Sequence, residues 1–252
     1  MNVRPKKSLG QHFLNDANIA RKIAESIEGT PDMVLEIGPG MGILTRFLHD
    51  KHADFKVVEI DKESVEYLIS NLLLPADRII SDDFLKIDLS AIINKPCCII
   101  GNFPYNISSQ IFFKVLEHRH HVNQTVCMIQ KEVAERIAAP SGSKTYGILS
   151  VLLQAFFDIK YLFTVHEHVF VPPPKVKSAV IRLTRNATSK LDCNEELFFK
   201  VVKTAFNQRR KTLRNSLRSM YTPEQLQHEI FNERPEQLDV KQFVFLTQLA
   251  GK

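Results

Sequence analysis

A short apolar strand running straight into three glycines constrains this chain more than any other feature. Met33 to Ile37 is apolar but for Glu36, and Gly38, Gly40 and Gly42 follow at alternate positions. Ile43, Leu44, Phe47 and Leu48 then have the spacing of a helix. Strand, glycine-rich turn and helix are the opening unit of an open parallel sheet. The glycines let the backbone approach a ligand closely, and the helix start turns unpaired N–H groups toward it.

The same alternation continues. Phe55 to Ile60 predicts a second strand, Glu63 to Leu74 a helix, Ile79-Ile80-Ser81 a third short strand and Cys97 to Ile100 a fourth. Helical patterns beginning near Ser108 and at Gln130 flank a strand from Val126 to Ile129. An apolar helix through Phe156 leads to strands near Ile159 to Val165 and at Ser178 to Leu183. Upstream, Asp16 is placed to cap a helix carrying Ile19, Ala20, Ile23, Ala24 and Ile27. Strands alternating with helices imply an α/β fold, a doubly wound and mostly parallel sheet covered on both faces.

Ligand-binding residues are sought at the strand ends. The glycine spacing is one residue shorter than the G-x-G-x-x-G of a dinucleotide site and fits the tighter loop of S-adenosylmethionine enzymes better. Glu59, roughly twenty residues beyond the glycines, is placed to take both hydroxyls of a ribose. Asp61 suits the start of the following helix. Of the adjacent acids Asp82 and Asp83, the second is expected to accept from an adenine amine, since no further ligand accompanies them at metal spacing.

Gly101-Asn102-Phe103-Pro104-Tyr105-Asn106 closes the fourth strand. Asn and Pro are ordinary turn residues. Here, however, the proline fixes the backbone while Asn102 offers an acceptor and Tyr105 a flat face, the requirements for holding the amine of an extruded base. Pro172-Pro173-Pro174 forms a stiff loop able to hold Phe170 over a pocket, although core packing is the commoner fate of a phenylalanine.

With 252 residues and 44% hydrophobic content the chain can fill a sizeable core, and no run is long enough to span a membrane. The N-terminus lacks a signal-peptide core, so a cytoplasmic protein is expected. Cys97, Cys98, Cys127 and Cys193 have no metal-ligand spacing and read as reduced core residues. The net charge of +5 is concentrated: from Lys203 to Arg218 there are six basic residues and no acidic one. Arg210, Arg214 and Arg218 fall at i, i+4 spacing beside an apolar helical face. After a polar linker at Arg185 to Lys190 every pattern is helical. One helix is opened by Thr222-Pro223, another by the capping pair Asp239 and Gln242. Domains 1–186 and 187–252 are expected.

In combination these motifs resemble the KsgA-type ribosomal RNA adenine dimethylases. The similarity runs from Lys7 to about Ala250 and rests on Ser8-Leu9-Gly10-Gln11-His12-Phe13-Leu14, Glu36-Ile37-Gly38-Pro39-Gly40, Val58-Glu59-Ile60-Asp61, Gly101 to Ser108, Gln130-Lys131-Glu132-Val133, Val171 to Val176 and Ala205 to Leu217. The resemblance implies a Rossmann-like class I methyltransferase domain, its seven-stranded sheet bearing one antiparallel edge strand, and a helical RNA- or ribosome-binding domain. It implies methyl transfer from S-adenosyl-L-methionine to N6 of two adjacent adenosines in the 3′-terminal hairpin loop of 16S ribosomal RNA. The expected partner is the immature small subunit, the expected state a monomer, and no metal or membrane is involved. Cofactor contacts fall on His12, Leu14, Gly38, Gly40, Glu59, Asp83 and Asn102, with His12 standing where many members have Asn. Asn102, Pro104, Tyr105 and Phe170 would hold the base; Lys6, Lys7, Arg209, Arg210, Lys211, Arg214 and Arg218 would hold RNA. Two alternatives share the fold: a non-catalytic ribosome-assembly factor, and a large-subunit methyltransferase of the macrolide-resistance type.

Overall fold

The computed structural model describes residues 3–72 and 74–251. In chain order its elements are β1 (Phe13–Leu14), α1 (Ala17–Ala24), β2 (Met33–Ile37), β3 (Phe55–Val58), α2 (Lys62–Leu72), β4 (Ile79–Ile80), β5 (Cys97–Asn102), α3 (Ser108–Glu117), β6 (Val122–Gln130), α4 (Lys131–Ala138), α5 (Ile148–Gln154), β7 (Phe157–Val165), β8 (Phe170–Val171), β9 (Ser178–Arg185), α6 (Glu195–Asn207), α7 (Leu213–Ser216) and α8 (Val240–Ala250). The chain divides into two compact units, 1–134 with 160–185, and 135–159 with 186–252. Residue 186 therefore begins the second stretch of a discontinuous unit, whose first stretch lies before the expected boundary.

Seven strands form one sheet in the order β4-β3-β2-β5-β6-β9-β7. β2 pairs in parallel with β3 and β5, β3 with β4, and β5 with β6. The strand order reverses between β2 and β5, so the crevice outside their carboxyl ends, at Gly38 and Asn102, is the natural ligand site. β2 and the first five residues of β5 are buried along their length, as strands covered on both faces must be. Cys97, Cys98 and Cys127 are buried and reduced, while Cys193 is half-buried.

The antiparallel strand is not at the edge. β9 pairs with β6 from Gln124↔Thr184 to Gln130↔Ser178 and lies between β6 and β7. Its residues Ser178 to Leu183 are all buried, whereas β7, at the border of the sheet, exposes Asp158 and Lys160. Charges on the outermost strand discourage pairing with another chain, and an apolar strand needs neighbours on both sides.

The helix expected after the glycines is instead a series of turns with a short 3₁₀ helix at Thr45–Phe47. The backbone bonds through this stretch mix three- and four-residue spacing, and the Thr45 hydroxyl donates to the buried Glu36 carboxyl at 2.7 Å. Asp16 caps α1 as expected, accepting from Asn18 N and Ile19 N at 2.9 and 3.0 Å.

In the second unit, Asp239 and Gln242 exchange bonds of 2.8 and 2.9 Å in a capping box ahead of α8. Thr222-Pro223 leads only to a 3₁₀ turn at Gln225–Gln227. The basic stretch is not one helix either. α6 ends at Asn207, a turn closes with Lys211 N on Gln208 O at 2.8 Å, and Leu213 N goes to Glu233 O at 2.8 Å. Arg210, Arg214 and Arg218 consequently sit on a turn, on α7 and on a 3₁₀ turn rather than along one face.

Candidate active site

At the carboxyl edge of the sheet, the segment 8–13, the turn after β2, the residues following β3 and β4, and the loop after β5 surround a cavity of about 230 Å³. Of the residues expected to bind cofactor or base, His12, Gly38, Gly40, Glu59, Asp83, Asn102, Pro104 and Tyr105 all line it.

Glu59 is 4% exposed. Gly40 N donates to its Oε2 at 3.0 Å and Asp61 N to its Oε1 at 2.8 Å, so both oxygens are fixed and each retains lone pairs for a hydroxyl. Burial pushes its carboxyl above the usual range, against the pull of those two amides. Gly40 has φ +56°, and a Cβ there would stand 2.8 Å from the Phe13 ring. A Cβ on Gly38 would meet nothing within 4 Å, because this glycine borders open space. Asp83 accepts from Leu85 N at 3.0 Å, which fixes its carboxylate at the cavity wall.

Beside this cavity lies a smaller recess bordered by Glu36, Leu14 and Asn102. Leu14, expected among the cofactor contacts, is buried and faces this recess rather than the main cavity. Glu36 is 1% exposed; burial, reinforced by the Glu59 carboxylate, pushes its pKa up to about 8 despite the Thr45 hydroxyl.

The hexapeptide loop is held from several sides. Asn102 Nδ2 donates to the His12 carbonyl at 2.9 Å, which leaves Oδ1 as the open acceptor end of the amide. The Pro104 carbonyl accepts from Ile107 N at 3.2 Å and keeps a second lone pair. Tyr105 Oη and Ser178 Oγ lie 2.5 Å apart, and the Tyr105 ring stacks on His12 with centroids 5.5 Å apart. His12 Nδ1 bonds the Pro172 carbonyl at 2.8 Å; a carbonyl only accepts, so Nδ1 is the donor.

Phe170 does not reach this site. It is 2% exposed, packed in the hydrophobic core beside Leu14, with which its strand β8 pairs. Pairing of β8 with β1 aims Phe170 inward and leaves Val171, 50% exposed, on the outside. Lys6 is likewise engaged: its ammonium pairs with Asp61 and, at 3.1 Å, with Glu63. Arg209 donates to the Lys144 carbonyl and Arg214 to Asn232 Oδ1 at 2.9 Å, whereas Lys7, Arg210, Lys211 and Arg218 are exposed. Sequence reasoning passed over Gln11, Ile60 and Asn106, which also line the cavity. Their adjacency to His12, Glu59 and Tyr105 was the available signal.

The model of the family described as ribosomal RNA adenine dimethylase matches residues 2–246. The chain belongs to the ribosomal RNA adenine dimethylase family. It is a methyltransferase. Ribosomal RNA small subunit methyltransferase A of Phocaeicola vulgatus is 59% identical over 97% of this chain and 89% of its own. The protein of that name from Flavobacterium johnsoniae is 58% identical over 98% and 95%. Two solved structures share the fold over nearly all of the chain. A dimethyladenosine transferase from Plasmodium falciparum has a TM-score of 0.81 at 25% identity, covering 95% of this chain and 98% of its own. The 23S rRNA methyltransferase ErmE has a TM-score of 0.71 at 27% identity, covering 94% and 99%. In this chain one cavity is lined both by the buried Glu59 and by the Asn-Phe-Pro-Tyr loop.

Proposed function

We propose that this chain methylates N6 of two adjacent adenosines in the 3′-terminal hairpin loop of 16S ribosomal RNA, giving N6,N6-dimethyladenosine during small-subunit maturation, with S-adenosyl-L-methionine as donor. It acts as a monomer on the immature subunit. The observation that carries this reading is the bond from Asn102 Nδ2 to the His12 carbonyl at the cavity wall, which leaves Oδ1 as an acceptor.

Fit to the cofactor is supported by the chemistry of the donor set. Glu59 offers a fixed carboxylate for two ribose hydroxyls, Asp83 an acceptor for an adenine amine, and Gly38 a wall without a side chain. When bound, S-adenosylmethionine supplies a methyl group already activated by its sulfonium. What remains for the protein is mainly positioning, a large effect, since well-oriented reactants reach effective molarities of roughly 10⁵ to 10⁸ M.

The Asn102 Oδ1 and the free lone pair of the Pro104 carbonyl accept the two hydrogens of the target amine. That draws its nitrogen lone pair out of conjugation with the ring and makes it nucleophilic. Extracting an adenine costs a few kcal/mol. Stacking on one aromatic face returns about 1–3 kcal/mol. With Phe170 in the core, Tyr105 offers the stacking surface, so the remainder must come from contacts to the RNA backbone, for which Arg210, Lys211 and Arg218 are exposed.

Labelled S-adenosylmethionine should be offered to unmethylated small subunits, naked 16S RNA and large subunits in parallel, followed by mapping of the modified base. Labelling confined to adjacent adenosines of the small-subunit RNA is expected. Labelling of the large subunit alone would replace this assignment with the macrolide-resistance type, and no labelling of any substrate would favour a non-catalytic assembly role.

A further inference from the structure

Asp61 is a buried carboxylate, 2% exposed, that takes no part in the contacts proposed above. Capping α2 needs only its bond from Glu63 N at 3.2 Å. Its oxygens also accept from two side chains far away in sequence, the ammonium of Lys6 and, at 3.2 Å, Gln11 Nε2. Lys6 bonds Glu63 Oε1 as well, at 3.1 Å.

Between these two anchors the backbone closes on itself. Lys6 N donates to Gln11 Oε1 at 2.8 Å, Leu9 N to Lys6 O at 3.1 Å and Gly10 N to Lys7 O at 3.0 Å. Residues 8–13, which overlap this small loop and continue it, form one wall of the cavity. Gly10 lies so close to the hexapeptide loop that a Cβ would stand 2.6 Å from Asn106 Oδ1. On its other side Asp61 donates its own N–H to Glu59 Oε1 at 2.8 Å. One residue thus joins the acid expected to hold the ribose to the wall that would enclose it.

We propose that Asp61 is a positioning residue that latches the N-terminal arm, through Lys6 and Gln11, as a closing wall of the cofactor cavity in register with Glu59. The inference rests on the cavity being the S-adenosylmethionine site. Lys6 is then a catch of the latch. Loss of a wall contact is expected mainly in the rate of escape, since affinity differences among variants of one site fall mostly in dissociation.

The test uses the full chain, the variants Lys6→Met, Gln11→Ala and Asp61→Asn, and S-adenosylhomocysteine as probe. Lys6→Met leaves the buried Asp61 carboxylate without its cation, so the double variant with Asp61→Asn, which removes the charge as well, separates a general loss of stability from an opened latch. Each of Lys6→Met and Asp61→Asn is expected to raise the dissociation rate about tenfold, the worth of one charge-assisted hydrogen bond, with association changed less than threefold. The double variant should be no worse than the stronger single one, as for two halves of one contact. Amide exchange at residues 6–12 should accelerate in Lys6→Met without any ligand. Unchanged exchange there, or dissociation within twofold of wild type, would overturn the latch. If wild-type protein fails to bind S-adenosylhomocysteine, the cofactor reading falls, while ligand-free exchange still decides whether the arm is latched.

Discussion

Asn102 and Glu36 show two ways in which one side chain is committed by its surroundings. Asn102 commits its amide nitrogen to the His12 carbonyl, and its oxygen is the acceptor proposed for the target amine. Asn102→Ala is expected to leave S-adenosylmethionine affinity within tenfold and to lower methyl transfer at least a hundredfold, measured as single-turnover rate beside calorimetric binding; parallel loss of both would make the residue a cofactor ligand only. Glu36 is an acid held neutral by burial, with a pKa of about 8. An acid whose folded-state pKa is raised gives its full stability below the unfolded value near 4.5 and loses it as pH rises toward 8. Thermal midpoints should therefore fall between pH 5 and pH 8.5, and Glu36→Gln should flatten that slope; an unaltered slope would show that Glu36 is already ionised at neutral pH. The sequence displayed both residues but not their states. An acid at a strand end reads the same whether ionised or not; burial decides it, with the Glu59 carboxylate adding to the effect and the Thr45 hydroxyl opposing it.

At the scale of elements, the strand-glycine unit was readable because it is local. Its turn depends on Gly40, where a side chain would combine φ +56° with contact on the Phe13 ring at 2.8 Å. Gly40→Ala is expected to destabilise the protein by about 1–3 kcal/mol in denaturant titrations and to weaken cofactor binding with it. Caps written within four residues, Asp16 and the Asp239–Gln242 pair, were legible for the same reason. Phe170 was not: its burial follows from a two-residue strand pairing with Leu14, far away in sequence, and proline-rich neighbours look alike whichever way the ring turns. The basic segment was legible in composition and misread in shape, since Leu213 N leaves the helical ladder for Glu233 O. Charge reversal of Arg210 and Lys211, both exposed on the turn, should weaken RNA binding and flatten its logarithmic salt dependence by roughly 1–2 units while leaving cofactor affinity alone. An unchanged salt slope would remove that turn from the RNA interface.

For the whole molecule, the parallel sheet with its crevice between β2 and β5 was inferable from alternation, whereas the inward position of β9 and the discontinuous second unit were not, because both are settled by pairings between distant segments. A chain cut after residue 186 keeps α5 but lacks α6 and α8, against which α5 packs. The apolar helix α5, buried from Leu149 to Leu153, would then lose part of its cover, so the 1–186 fragment should bind a hydrophobic dye and self-associate in gel filtration; a monodisperse fragment that binds no dye would show that α5 needs no partner. The divided unit also gives the protein a timetable. On the ribosome, residues 135–159 emerge well before α6 is complete at Asn207, and at roughly 5–20 residues per second the wait lasts on the order of 2–10 s. For that interval a run of apolar helix stands without its partners, long enough for a chaperone to find it, so the yield of folded enzyme should depend on how fast the part of its message between residues 159 and 207 is read.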